Sequence, residues 1–86
     1  MTRSAANDVS SALDLIGRAV RRERRALGLT QTELAGLCGV GVRFVSELEG
    51  GKPSLEIGRA LHVLHHLGLD LDVKQRRWPR ETADDA

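Results

Sequence analysis

The sequence predicts a small all-α protein, a compact helical bundle followed by one short C-terminal strand, and three observations carry that prediction. Apolar side chains recur at helical spacing in four segments set apart by glycines. Phe44 and Trp78 are the only aromatics, too few for a large all-β core. The stretch LDLDV at 69–73 alternates apolar and acidic residues with the period of a strand. Eighty-six residues make one domain near the lower end of sizes that fold without staples, so dimerisation would help.

Residues 1–9 carry little pattern and read as a loose arm. A first helix is expected from Ser10 or Ser11, either of which can cap it, with Asp14 favourable in the first turn. Leu13, Ile16, Val20 and Leu27 form its inner stripe, and Gly28 closes it. Thr30 opens the second helix through a T-x-x-E capping box, its hydroxyl accepting an orphan backbone N–H while Glu33 reaches back. Leu34, Leu37 and Cys38 supply that helix's apolar stripe, with Ala35 small on its flank where another helix can approach. Gly39 stands where the chain must reverse, in a left-handed conformation that glycine adopts cheaply.

Gly41 opens the third helix, in which Phe44, Val45 and Leu48 at i, i+1 and i+4 define the buried face. Val42, Arg43, Ser46 and Glu47 therefore point outward. Gly50, Gly51 and Pro53 break the chain, and Ser54 is placed to cap a fourth helix with Ile57, Leu61, Leu64 and Leu67 on one face and Gly68 at its end. The strand that follows sets Leu69, Leu71 and Val73 on one side but has no partner in its own chain. Pairing with the same strand of a second subunit would satisfy it and make a two-fold dimer; the alternative is an extended linker packed on the helices. Residues 74–86 hold few apolar side chains and read as a flexible tail, leaving 10–73 as the folded domain.

Composition narrows the function classes. The formal charge of +1 neither requires nor excludes a nucleic acid, but five arginines fall between Arg18 and Arg25, so basic character is local. No apolar run approaches the roughly 20 residues that span a bilayer and no signal-peptide core is present, so a cytoplasmic protein without membrane contact is expected. Cys38 is the single cysteine, which rules out an intramolecular disulfide and a four-cysteine zinc site and suggests packing. His62 and His66 stand at i, i+4 with His65 between them, yet the glutamate of an H-E-x-x-H motif is missing and no further ligand completes a set. No metal, cofactor or enzymatic activity is expected, because no nucleophile or acid–base constellation is visible.

The stretch Gln31–Leu48, QTELAGLCGVGVRFVSEL, thus pairs a capped helix and a glycine turn with a second helix whose front carries a free face. Such a face enters a DNA major groove in proteins built this way, its first side chains reaching base edges. With LGLTQTELA at 27–35, Gly39 and VSELEGGKPS at 45–54, the chain resembles the lambda-repressor-like, XRE-type helix-turn-helix family from about Ile16 to Leu69. The resemblance implies a dimeric repressor of a DNA operator. It also implies a structural ion pair between Arg24 and Glu49, and phosphate contacts from Gln31 and Lys52. Thr30 and Gln31 offer donors at a helix N-terminus, where the dipole favours an anion.

Arg43 is the best base reader, since arginine bonds guanine O6 and N7 in a fork. Val42 suits a thymine methyl, Glu47 can accept from cytosine N4, and Ser46 can meet phosphate or base. Gly41 stands where the family often has a serine or threonine cap, which weakens a phosphate contact there. Trp78, beside Arg76, Arg77, Pro79 and Arg80 in the polar tail, makes a natural anchor for a partner or folds back on its own domain. Within the family the pattern over roughly 13–73 looks most like HipB-type antitoxins, which implies autorepression and a HipA-like kinase toxin as partner. Two other readings stay open: a stand-alone XRE-type regulator, and a helix-turn-helix interaction module that does not bind DNA.

Overall fold

The computed structural model describes residues 5–75, and side-chain environments from residue 9 onward. Four helices follow one another: α1 (Ala5–Ala26), α2 (Gln31–Cys38), α3 (Val42–Glu49) and α4 (Ile57–His66). α1 and α2 both pack against α3, and α2 packs against α4. Val20, Leu34, Ala35, Cys38, Val45, Leu48, Val63, Leu64 and Leu67 make the core between them. No described helix is long and apolar enough to cross a membrane.

All four helices end in one way. Gly28, Gly39, Gly51 and Gly68 have φ between 70° and 75°, and the amides of each glycine and of the residue after it bond back to the helix's last turn, as in Leu29 N–H to Arg24 O and Gly28 N–H to Arg25 O. This is the Schellman arrangement, which commonly brings the residue after the glycine against the helix's last turn. Leu29, Val40 and Leu69 occupy that position after α1, α2 and α4, and each packs on the core. After α3 the position belongs to Lys52.

Several expected details differ. α1 begins at Ala5, so Ser10 and Ser11 lie inside it and the loose arm expected over 1–9 is helical from residue 5. Ala5 and Ala6 are strong helix formers, so the helix runs on through the residues that precede the two serines. Leu27 is exposed because the glycine turn aims Leu29 inward instead. Leu37 is 63% exposed; the face of α2 shared by α3 and α4 runs through Leu34, Ala35 and Cys38. In α4 Val63 and Leu64 are buried, with Ala60 partly buried before them and Leu67 buried just after the helix, while Ile57 at 66% exposure and Leu61 face solvent. Ala60 and Val63 turn toward the core, and Leu55 packs on the core as well, just before the helix. Its N-cap is Glu56, two residues beyond Ser54.

The expected strand is absent: among the described residues there is no strand, and 69–75 have no regular structure. Leu69 packs on the core, but Leu71 and Val73 are exposed. A two-residue alternation creates a face without supplying the neighbouring backbone that a strand must bond, and this chain alone supplies none. Trp78 and the rest of the expected tail beyond residue 75 lie outside the described residues.

Candidate nucleic-acid interface

Two helix N-termini and one loop build the candidate surface. At the first, Thr30 has extended backbone geometry and its Oγ1 accepts from the Glu33 amide at 3.0 Å, while the Thr30 amide donates to Glu33 Oε1 at 2.8 Å. The hydroxyl retains its proton as a donor. Next to it, Gln31 Nε2 donates to Glu49 Oε1 at 3.0 Å, linking the first turn of α2 to the last residue of α3.

Glu49 is the hub beneath this edge. Its side chain is 0% exposed and accepts from Arg24 Nε at 2.6 Å and Nη2 at 3.1 Å, and from Arg21 Nε at 3.4 Å. Arg24 also donates to the Leu29 carbonyl at 2.7 Å, tying the pair to the turn between α1 and α2. Burial by itself would raise the Glu49 carboxyl, but the bonds from Arg24, Gln31 and Arg21 outweigh it and hold the group below the ordinary carboxylate range. The Glu49 bond in turn raises the Arg24 guanidinium. Arg24 and Glu49 therefore meet as a buried pair, and Arg21 and Gln31 join them.

α3 can lie this close to α1 because residue 17 is glycine. A Cβ there would sit 2.6 Å from the carbonyl oxygens of both Leu48 and Glu49. The docking is backbone on backbone. Gly51 adds a second close approach, where a side chain would run into Asp14 of α1.

The outward face of α3 follows from that seating. Val45 and Leu48 are buried and Phe44 is half-buried, so Val42, Arg43 and Ser46 are exposed and Glu47 lies partly exposed beside them. Gly41 caps the helix without a side-chain bond. Arg43 Nε donates to Glu47 Oε2 at 3.2 Å, and Lys52 Nζ donates to the same oxygen at 3.1 Å. The Lys52 bond first, then Arg43, holds the Glu47 carboxyl below its usual range.

The histidines stand elsewhere. His62 Nε2 donates to the Cys38 carbonyl at 2.9 Å and His66 Nδ1 to the His62 carbonyl at 3.1 Å, so both brace helix ends. Among the described residues no three metal-ligating side chains come together.

A capped helix, a glycine reversal and a second helix with an outward face, seated on α1, are the parts of a helix-turn-helix, and sequence comparison agrees with that assignment. A helix-turn-helix domain family matches residues 15–77. An uncharacterized HTH-type transcriptional regulator, y4mF, of Sinorhizobium fredii (strain NBRC 101917 / NGR234) is 50% identical over 58 residues, covering 67% of this chain and 76% of the relative. The chain belongs to the XRE-like helix-turn-helix family. Membership carries the coarse function with it, a DNA-binding regulator. In this helix-turn-helix protein α2 is the first helix of the motif and α3 the second.

Thr30, Gln31, Val42, Arg43, Ser46, Glu47 and Lys52 gather around the N-terminus of α2, the free face of α3 and the loop after it. Sequence reasoning missed Arg21 and Gly17. A glycine within an apolar-periodic helix was the available signal for Gly17, and the spacing Arg21–Arg24 on one helix face was that for Arg21.

Proposed function

We propose that this protein is a sequence-specific transcriptional repressor that binds its operator as a two-fold dimer, one recognition helix in each of two successive major grooves. The observation that carries the reading is the unburied side of α3: Arg43, with its side chain 88% exposed, lies at the front of the helix between Val42 and Ser46, paired with Glu47 one turn on. Gln31, at the start of α2, and Lys52, in the loop after α3, are the phosphate contacts in this reading. Half-sites would lie about 34–36 Å apart, one helical turn. The exposed Leu71 and Val73, continuing from Leu69, support a dimer contact through the segment after α4.

The finer layer is an antitoxin role, with a HipA-like serine/threonine kinase toxin as the partner and Trp78 as its anchor. The resemblance over 13–73 supports it. Co-purification with the kinase-like product of a neighbouring reading frame, lost on removal of residues 74–86 while DNA binding persists, is the expected result; equal partner affinity for the truncated chain would exclude the tail.

Selection of duplexes from a random pool tests the main reading. The expected outcome is one enriched site with two related halves, and Arg43→Ala relaxes preference at one position in each half, at a cost of about 1–3 kcal/mol. No enrichment, together with no salt-dependent duplex affinity, would favour an interaction module instead.

A further inference from the structure

We propose that Glu47 sets selectivity: in the free protein it engages the cations of the recognition surface, so that an arbitrary phosphate must compete for them. The inference rests on the DNA-binding reading above and specifies how that surface discriminates.

The fold itself brings the three charges together. In the Schellman turn that ends α3, the residue after Gly51 lies against the helix's last turn, with the Lys52 amide bonded to the Glu47 carbonyl at 3.1 Å. The other three helices place an apolar residue there and pack it on the core, whereas this one places a lysine and pairs it with Glu47. Arg43 approaches from the other side, one turn earlier on the same face. Both cations end on Oε2, and Oε1 accepts no bond from the described residues. The neighbouring acid, Glu49, is buried among its own donors, so Glu47 is the acidic member of the outward face.

A duplex of arbitrary sequence must then separate Lys52 and Arg43 from Glu47 and bring a carboxylate near its phosphates without compensation. A site with guanine under Arg43 and a cytosine amino group under Oε1 satisfies both partners as they part. Selectivity thus arises by penalising the wrong sequence more than by strengthening the right one.

Glu47→Gln, which keeps shape and removes charge, tests this in the full-length protein. Affinity for the selected operator and for a scrambled duplex is measured by fluorescence anisotropy from 50 to 200 mM salt. The scrambled duplex should bind more tightly and with a steeper salt dependence, each extra phosphate contact adding about 3.5-fold to the loss across that range. The ratio of operator to scrambled affinity should fall by about tenfold. Glu56→Gln makes the same change in net charge at the start of α4, where Glu56 pairs with Arg59, and should leave the ratio unchanged. A Glu47→Gln protein whose scrambled-duplex affinity and salt slope match those of wild type or Glu56→Gln overturns the inference while the DNA-binding reading stands. A wild-type protein without duplex affinity overturns both.

Discussion

Replacing Gly17 by alanine should destabilise the protein even though alanine is the better helix former. In a helix interior the exchange gains about 1 kcal/mol from propensity. Here the new methyl would sit 2.6 Å from two backbone oxygens, about 0.8 Å inside the 3.4 Å at which ordinary contact begins. Backbone cannot swing aside as a side-chain tip can, so α1 and α3 must part, loosening Val20, Val45 and Leu48 in the core between them. Overpacking of this kind costs about 1–3 kcal/mol. Gly36 supplies the control, because it too lies within a helix but a Cβ there would meet nothing within 4 Å. Gly36→Ala should therefore stabilise by about 1 kcal/mol, and the difference between the two variants isolates the steric cost. For a domain this small, 1 kcal/mol moves the melting temperature by about 4–8 °C, so circular dichroism melts resolve the pair. Equal melting temperatures for Gly17→Ala and Gly36→Ala would refute the close docking of α1 on α3.

Arg24→Ala should cost about 3 kcal/mol, the low end for breaking a buried ion pair, because Arg21 and Gln31 still bond Glu49; urea unfolding checks it, and a loss below about 1 kcal/mol would mean that solvent screens the pair. Acid should weaken the fold through the same carboxylate. The folded-state value of Glu49 is depressed, so its stabilisation is complete above the ordinary carboxylate range and is lost as pH falls through the lower folded value. Melts from pH 7 down to 2 should show a flatter acid limb for Glu49→Gln than for wild type, and superimposable acid limbs would assign the loss to other groups.

What could be read from the sequence was what local chemistry determines. The Thr30–Glu33 box, the reversal at Gly39 and the inward set Val45 and Leu48 each depend on a few neighbouring residues, and they define the motif and its free face. Less legible were choices made by tertiary packing. Leu37 and Leu61 satisfy a helical stripe as well as their buried neighbours do, and only the direction from which α2, α3 and α4 meet decides which is covered. The LDLDV segment has strand periodicity, but a strand is a property of two backbones and the sequence specifies one. Arg21 and Gln31 belong to the Glu49 hub because α1, α2 and α3 converge there, across separations of 28 and 18 residues that no local pattern spans.

The two glutamates of the VSELEGG stretch show how one short helix serves both structure and recognition. Glu47 and Glu49 are two residues apart, so helical geometry turns them roughly 200° from each other. That rotation sends Glu49 under α1, where four donor contacts surround its carboxylate, and leaves Glu47 beside the free face with Arg43 and Lys52. The inner acid holds α3 to α1 and, through Gln31, to the first turn of α2. A displacement of α3 would therefore have to break the Gln31 bond as well, which couples the first turn of α2 to the end of α3. Neutralising either acid should defeat its own role: glutamine at 49 leaves the Arg24 cation buried beside a neutral partner, whereas glutamine at 47, on the selectivity proposed above, leaves Arg43 and Lys52 free for any phosphate.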